Sequence, residues 1–352
     1  MFHHLPLERY KQRYTEFLRD WESIVFKKYM SDYEVYGSND ITSIKSGEVI
    51  DSVARPVYAM NQLAQLLPKL TADDSIYLSD FYHTGVDGIR YSRIPCKLYS
   101  FCWAQSFDIY DFTRQFMPWI RQYELMMLEM SDTVFVACSE LKELIISPYP
   151  EFTEKIEVVG LPFNSQFLIN EFGNGSPFFS RDIDCVFTSR FDLEKNPWFF
   201  LDLAESRPEL QFAICTGWEN LKGTAVSSVE RAKSLRNLTI YNGLDKAAYY
   251  NVLKRSRVQF NCAMQDWVSF TLLEALTFGC NVLYPNFRAF PSVLHYSFNH
   301  LYKPHSLSDA NQKLNNLMAQ PPKNLREYVL TDHDKSIERI ANRIQSNSNL
   351  SI

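Results

Sequence analysis

Asp266-Trp-Val-Ser-Phe-Thr-Leu-Leu-Glu-Ala-Leu-Thr-Phe-Gly-Cys-Asn-Val-Leu-Tyr284 reads as a loop, a helix, a glycine stop and a strand. Leu272, Leu273, Leu276 and Phe278 give the helix an apolar side, and Gly279 is the residue type that ends one. The same alternation of short apolar runs with longer amphipathic stretches holds from residue 72 onward. That pattern predicts parallel strands joined by crossover helices, an α/β chain. The predicted strands are Ser75 to Ser79, Lys97 to Cys102 and Thr133 to Cys138, then Ile156 to Val159, Cys185 to Thr188, Gln211 to Cys215, Leu238 to Tyr241, Val258 to Asn261 and Asn281 to Tyr284.

Between the two series lies Glu171-Phe-Gly-Asn-Gly-Ser-Pro177, a turn-rich stretch of the kind that joins domains. The predicted division is an N-terminal domain over 1–165, a second over 166–330, and a C-terminal helix and polar tail over 331–352 packing back on the first. The first 50 residues read as a helical, aromatic and basic opening with turns at Gly37 to Asp40 and Lys45 to Gly47. No opening strand with a glycine-rich turn is predicted there. Asp334 to Ile344 reads as an amphipathic helix and Gln345 to Ser351 as a frayed tail.

The 352 residues suffice for two cores. With 46% hydrophobic and 22% charged residues, the chain is neither disordered nor collagen-like. A net charge of −5 leaves any polyanion site to a local patch. The seven cysteines are scattered without a C-x-x-C pair, which points to small core residues in a reducing cytoplasm rather than to zinc or disulfides. The N-terminus lacks the apolar core of a signal peptide, and no segment is apolar for long enough to span a bilayer.

Asp266 and Glu274 frame the start of the 270s helix, one before it and one within it. A helix start offers unpaired N–H groups to an anion, and a carboxylate one turn in can accept from a ribose diol. A diphosphate with a sugar on each side fits; the same residues also read as a capped, half-buried helix with a solvated Glu. After the strand ending at Thr188 come Ser189-Arg190-Phe-Asp-Leu-Glu-Lys195-Asn-Pro197. Two cations thus stand at the C-terminal edge of a parallel strand, where open α/β sheets bind ligands. Taken singly, this is also an ordinary solvated loop. Asn242-Gly243 adds a third loop at the same edge.

Arg190 with Lys195, the Asn242-Gly243 turn, and Asp266 with Glu274, Ala275 and Gly279 together resemble the C-terminal domain of retaining GT-B glycosyltransferases. The resemblance spans about residues 130–300. It implies two Rossmann-like doubly wound domains facing a central cleft, with a nucleotide-sugar donor, a UDP-sugar, in the second. Arg190 and Lys195 would hold the donor diphosphate, with Asn242, Gly243, Ser269, Phe270 and Thr271 around it. Glu274 would bind the ribose, and Asp266 would contact the transferred sugar. Asp266 stands where that motif usually has Glu, and Trp267-Val268 where it has small residues.

Two N-terminal segments, Asp80-Phe-Tyr-His83-Thr-Gly and Cys102-Trp-Ala-Gln105-Ser-Phe-Asp108, follow predicted strands. They are similar to loops of glycosyltransferase-like proteins encoded by tailed phages. That likeness implies transfer to a hydroxylated (5-hydroxymethyl) pyrimidine in phage DNA, in the host cytoplasm; a monomer is expected. Asp80 or His83 would position the acceptor or move its proton. Tyr82, Trp103 or Phe107 would hold an extruded base, and Arg90, Arg93, Lys97 and the basic N-terminal residues would track the phosphates. A lone histidine after a strand is also an ordinary structural hydrogen-bonding group.

Other signals are set aside. Asp182-Ile-Asp184 runs straight into a strand, unlike a metal-binding D-x-D, so no metal cofactor is expected. Asn237-Leu-Thr239 is a glycosylation sequon without a secretory signal. The basic residues Arg9, Lys11, Arg13, Arg19, Lys27 and Lys28, interleaved with Tyr10, Tyr14, Trp21 and Tyr29, are diluted by Glu8, Glu16, Asp20 and Glu22. Three classes of function follow: a transferase acting on DNA, a cytoplasmic transferase acting on a glycan, lipid-linked sugar or small molecule, and a nucleotide-sugar binding module without turnover.

Overall fold

A computed structural model describes residues 1–10, 13, 15–37, 53–104, 106–217, 221, 225–322 and 325–349. Of the sequence readings, Ser38 to Gly47, Lys11, Tyr14, Gln105 and Ser351 lie outside the described residues. The chain divides into two compact units, 1–163 with 333–352, and 164–332.

The first unit is built on a six-stranded parallel sheet, β2-β1-β3-β4-β5-β6. Its strands are β1 (Phe2–Leu5), β2 (Tyr33–Val35), β3 (Ser75–Leu78), β4 (Lys97–Cys102), β5 (Thr133–Val136) and β6 (Ile156–Val158). Central strands such as Thr133–Val136 are buried along their whole length, as in a parallel sheet covered on both faces. The opening strand corrects the sequence reading. Phe2–Leu5 hides its strand character behind two histidines, both buried here. His4 meets Tyr33 Oη through Nδ1 (2.9 Å) and Glu22 and Ser79 through Nε2 (3.0 and 2.9 Å), so its polar atoms are satisfied inside the core.

The helix Ser336–Asn349 belongs to this unit and continues through most of the tail expected to fray. Ile337, Ile340, Ala341 and Ile344 bury its apolar side. His333 Nδ1 accepts from Leu161 N (2.8 Å), Ser336 Oγ donates to Gly160 O (2.9 Å) and Arg339 donates to Val159 O (2.9 Å).

The second unit carries another six-stranded parallel sheet, β12-β11-β10-β7-β8-β9. Its strands are β7 (Ile183–Phe187), β8 (Phe212–Cys215), β9 (Leu238–Tyr241), β10 (Ser256–Phe260), β11 (Asn281–Pro285) and β12 (Leu301–Tyr302). An aromatic layer fills its core: Tyr302 stacks on Phe260 (5.2 Å) and on Phe199 (5.5 Å) of the helix Pro197–Ser206. All seven cysteines are free and buried. Gly279, with φ +75°, ends the helix Phe270–Thr277, and Arg181 donates to the carbonyl of Phe278 beside it (2.8 Å). Among the described residues no helix is long and apolar enough to cross a membrane.

Candidate active site

In the second unit the chain leaves β7 toward β8 and β9, then returns to the other side of β7 as β10. The gap between β7 and β10 is therefore the point where the winding reverses, and loops leaving the two strands diverge around a crevice. The loop after β7 carries Arg190 and Lys195; the loop after β10 carries Asp266 and leads into the helix Phe270–Thr277.

Both loops are fixed. Phe191 is buried and meets Phe187 edge-on at 5.8 Å. Leu193–Lys195 form a single 3₁₀ turn, closed by Asn196 in the left-handed region (φ 48°) before Pro197 opens the next helix. Met264 N donates to Glu194 O (2.6 Å), and Cys262 Sγ contacts the Asn196 carbonyl (3.1 Å), so one loop is stitched to the other.

Each cation is matched with carboxylates. Arg190 pairs with Asp192 (3.2 Å) and Glu194 (2.9 Å). Lys195, itself buried, donates to Gln265 O (2.7 Å) and stands 3.7 Å from Asp266. Arg190 and Asp266 keep part of their side chains accessible, so an incoming anion can reach the loop's cations. Ser269 is the N-cap of the helix Phe270–Thr277, but no side-chain oxygen caps that helix start; Ser269 Oγ instead meets Thr271 Oγ1 at 2.8 Å.

Glu274 is buried rather than solvated. Its Oε1 accepts from Lys246 (2.5 Å) and from Tyr250 Oη (2.9 Å). Lys246 is delivered by the Asn242-Gly243 turn: Gly243 is left-handed (φ 65°), and Asp245 caps the helix Lys246–Arg255 through Ala248 N (2.8 Å). Trp267 and Val268, the departures from the family motif, are buried. Asp182 pairs with Arg255, and Asp184 with Arg257 (3.0 Å). Asn237 donates to the carbonyls of Ala204 and Arg207 (both 2.9 Å), pinning the end of one helix.

The first unit reverses its winding between β1 and β3. There Arg55 bridges Glu8 (2.5 Å) and Asp80 (3.1 Å). Burial raises the pKa of both carboxyls, and Arg55 opposes the rise. His83 Nε2 lies 3.0 Å from Gln62 Oε1. Gln62 donates its amide to Pro6 O (2.9 Å) and Tyr36 O (3.0 Å), which fixes its oxygen toward the ring and makes Nε2 the protonated nitrogen. Burial lowers the His83 pKa to about 4, so the ring is neutral at pH 7.

The residues nominated to hold a flipped base make contacts within the first unit. Tyr82 donates to Glu124 (2.5 Å), Trp103 to Ser79 O (2.7 Å), and the Arg121 guanidinium sits 3.3 Å from the centre of the Phe107 ring. Arg90 and Lys97 pair with Asp132 (3.4 and 3.5 Å), and Arg9 pairs with Asp20. Sequence reading missed Glu8, Arg55, Gln62, Lys246 and the carboxylates on Arg190. A signal was present for Asp192 and Glu194, which flank the cations in sequence; none was present for the others.

No protein-family model and no curated protein matches the sequence. Solved structures do resemble this one. A sucrose-phosphate synthase from Thermosynechococcus elongatus superposes with TM-score 0.70 at 13% identity, over 99% of this chain and 98% of that one. A glycosyltransferase from Rickettsia africae gives 0.67 at 12%, over 98% and 99%. A UDP-forming α,α-trehalose-phosphate synthase from Burkholderia xenovorans gives 0.61 at 12%, over 84% and 77%. With its two six-stranded parallel sheets and their flanking helices, this chain has the fold of the GT-B glycosyltransferases.

Proposed function

We propose that the chain transfers a sugar, with retention, from a UDP-sugar to a hydroxyl acceptor. One observation carries the reading: Arg190 and Lys195 stand on a rigid loop stitched to the loop of Asp266 and the helix start at Ser269, where the second sheet reverses its winding. As the bond to the sugar breaks, charge grows on the leaving diphosphate. Arg190, Lys195 and the helix start stabilise that charge. The protein's own cations perform this role, so the reaction proceeds without a metal. The leaving phosphate can take the acceptor's proton, which dispenses with an enzymic nucleophile. Asp80 or His83 would position the acceptor or assist its proton transfer. The UDP-forming synthase among the similar structures supports UDP as the carrier.

The finer proposal for the acceptor is 5-hydroxymethylpyrimidine in DNA. It is supported by the likeness of the Asp80 to Gly85 and Cys102 to Asp108 segments to phage-encoded proteins, and weakened by the pairing of Arg90, Lys97 and Arg9 with carboxylates. A nucleotide-sugar binding module without turnover is the second reading, favoured by the Lys195–Asp266 pair and by Asp at that position.

The test is turnover of a panel of UDP-sugars in chelator, with and without hydroxymethylated duplex. UDP release is expected, and its dependence on the duplex decides the acceptor. Binding of UDP without any release establishes the module, and absence of UDP binding removes the donor assignment altogether.

A further inference from the structure

The second unit contains a cavity of about 410 Å³ that the donor loops do not touch. It lies at the opposite edge of the same sheet. Asn281, the first residue of β11, lines it, whereas the donor loops leave the far ends of β7 and β10. A five-residue strand separates the two edges by roughly 15 Å. The volume falls within the range of about 300–1,000 Å³ typical of small-molecule sites.

The lining has a definite chemistry. Leu294, Leu317 and Leu325 supply an apolar floor, and Gln320 with Asn299 supplies neutral hydrogen-bonding groups. Among the described residues no Asp, Glu, Lys or Arg side chain lines it. His300 is 92% buried, being only 8% exposed, and faces the cavity. Its Nδ1 lies 2.8 Å from Val282 O. A carbonyl only accepts, so Nδ1 carries the proton and Nε2 presents a bare lone pair. Among the described residues nothing donates to Nε2. Burial, with Lys313 nearby, lowers the His300 pKa, which keeps the ring neutral and accepting. At the mouth, Tyr328 is 62% exposed, its ring 6.2 Å from that of His295.

From this we infer a second binding site for a neutral saccharide. A pyranose offers C–H faces to the leucine floor and the Tyr328 ring, and hydroxyl donors to His300 Nε2 and the neighbouring amides. Among the described residues the charges beside the lining are already engaged, Lys313 on Phe298 O and Asp332 with His295 (3.2 Å), so a neutral ligand suits the cavity better than an ion. The site does not depend on the donor reading, since it uses none of the same residues.

The experiment is titration of the full chain with maltose, cellobiose and lactose in turn, followed by saccharide-observed saturation-transfer NMR and by the imidazole ¹⁵N signals of His300. At least one sugar is expected to bind at millimolar concentration and to shift the Nε2 signal. Tyr328→Ala, at an exposed position, should weaken that sugar about three- to tenfold with unchanged melting temperature. Saturating UDP should leave the affinity unaltered, and so should Arg190→Ala. The inference is overturned if none of the three sugars binds, if Tyr328→Ala binds as tightly as the parent, or if UDP displaces the sugar. Failure of UDP to bind would sink the donor assignment and leave this result standing.

Discussion

At the level of single residues, the buried pair Lys246–Glu274 changes what a substitution should do. The motif suggested a carboxylate open to ribose, so Glu274→Gln would touch binding and spare stability. In the fold that change leaves a buried ammonium its hydrogen-bond acceptor but not its counter-charge, at a cost of up to about 3–5 kcal/mol. Denaturant unfolding should show this loss, and adding Lys246→Met should restore most of it. His83 yields a second prediction. Its folded pKa of about 4 lies below the ordinary 6.5, so the unfolded chain takes up the proton first on acidification. The stability it confers is complete above about pH 6.5 and is lost as pH falls toward 4, to a limit of about 3 kcal/mol. Glu8 and Asp80 have raised values and contribute with the opposite sign, so the measurement is the difference in melting temperature between parent and His83→Asn across that window. Arg190 and Lys195 could be nominated from sequence because they sit beside a strand end. Arg55 and Lys246 could not, because their partners lie 47 and 28 residues away and only the topology brings them together.

Among the elements, strands buried on both faces were legible because continuous apolar runs record that burial. Thr133–Val136 and Phe212–Cys215 are examples. Phe2–Leu5 escaped because its buried histidines are polar in the sequence and become core residues only through distant partners, Glu22, Ser79 and Tyr33 for His4 and Tyr36 and Asp74 for His3. The two-residue Leu301–Tyr302 is too short to carry a period. The loop 188–196 owes its rigidity to Phe191, whose side chain is 1% exposed. Phe191→Ala should cost about 3–5 kcal/mol, whereas Phe191→Leu should cost about 1 kcal/mol and keep the fold. If the loop presents its cations as a preformed pair, calorimetry should find UDP affinity reduced in Phe191→Leu although no nucleotide contact is removed. Equal affinity would show that the loop orders only on binding.

For the whole molecule, the first unit is discontinuous, closed by residues 333–352. Ending the chain at Asp332 removes Ile337, Ile340 and Ile344 from its core, each burial worth about 1.5–3 kcal/mol, together with three hydrogen bonds to Val159, Gly160 and Leu161. Scanning calorimetry of that truncation should show the first unit's transition lowered or lost while the contiguous second unit still melts. The same discontinuity sets an order of events during synthesis. About 170 residues separate Phe163 from His333, so at about 5–20 residues per second the first sheet waits on the order of 10–30 s on the ribosome for its last helix. The second unit needs nothing that comes later and can be finished first. The amino-terminal half is thus the last to be completed, and through that interval its unclosed surface is the part of the nascent chain most open to chaperones and proteases.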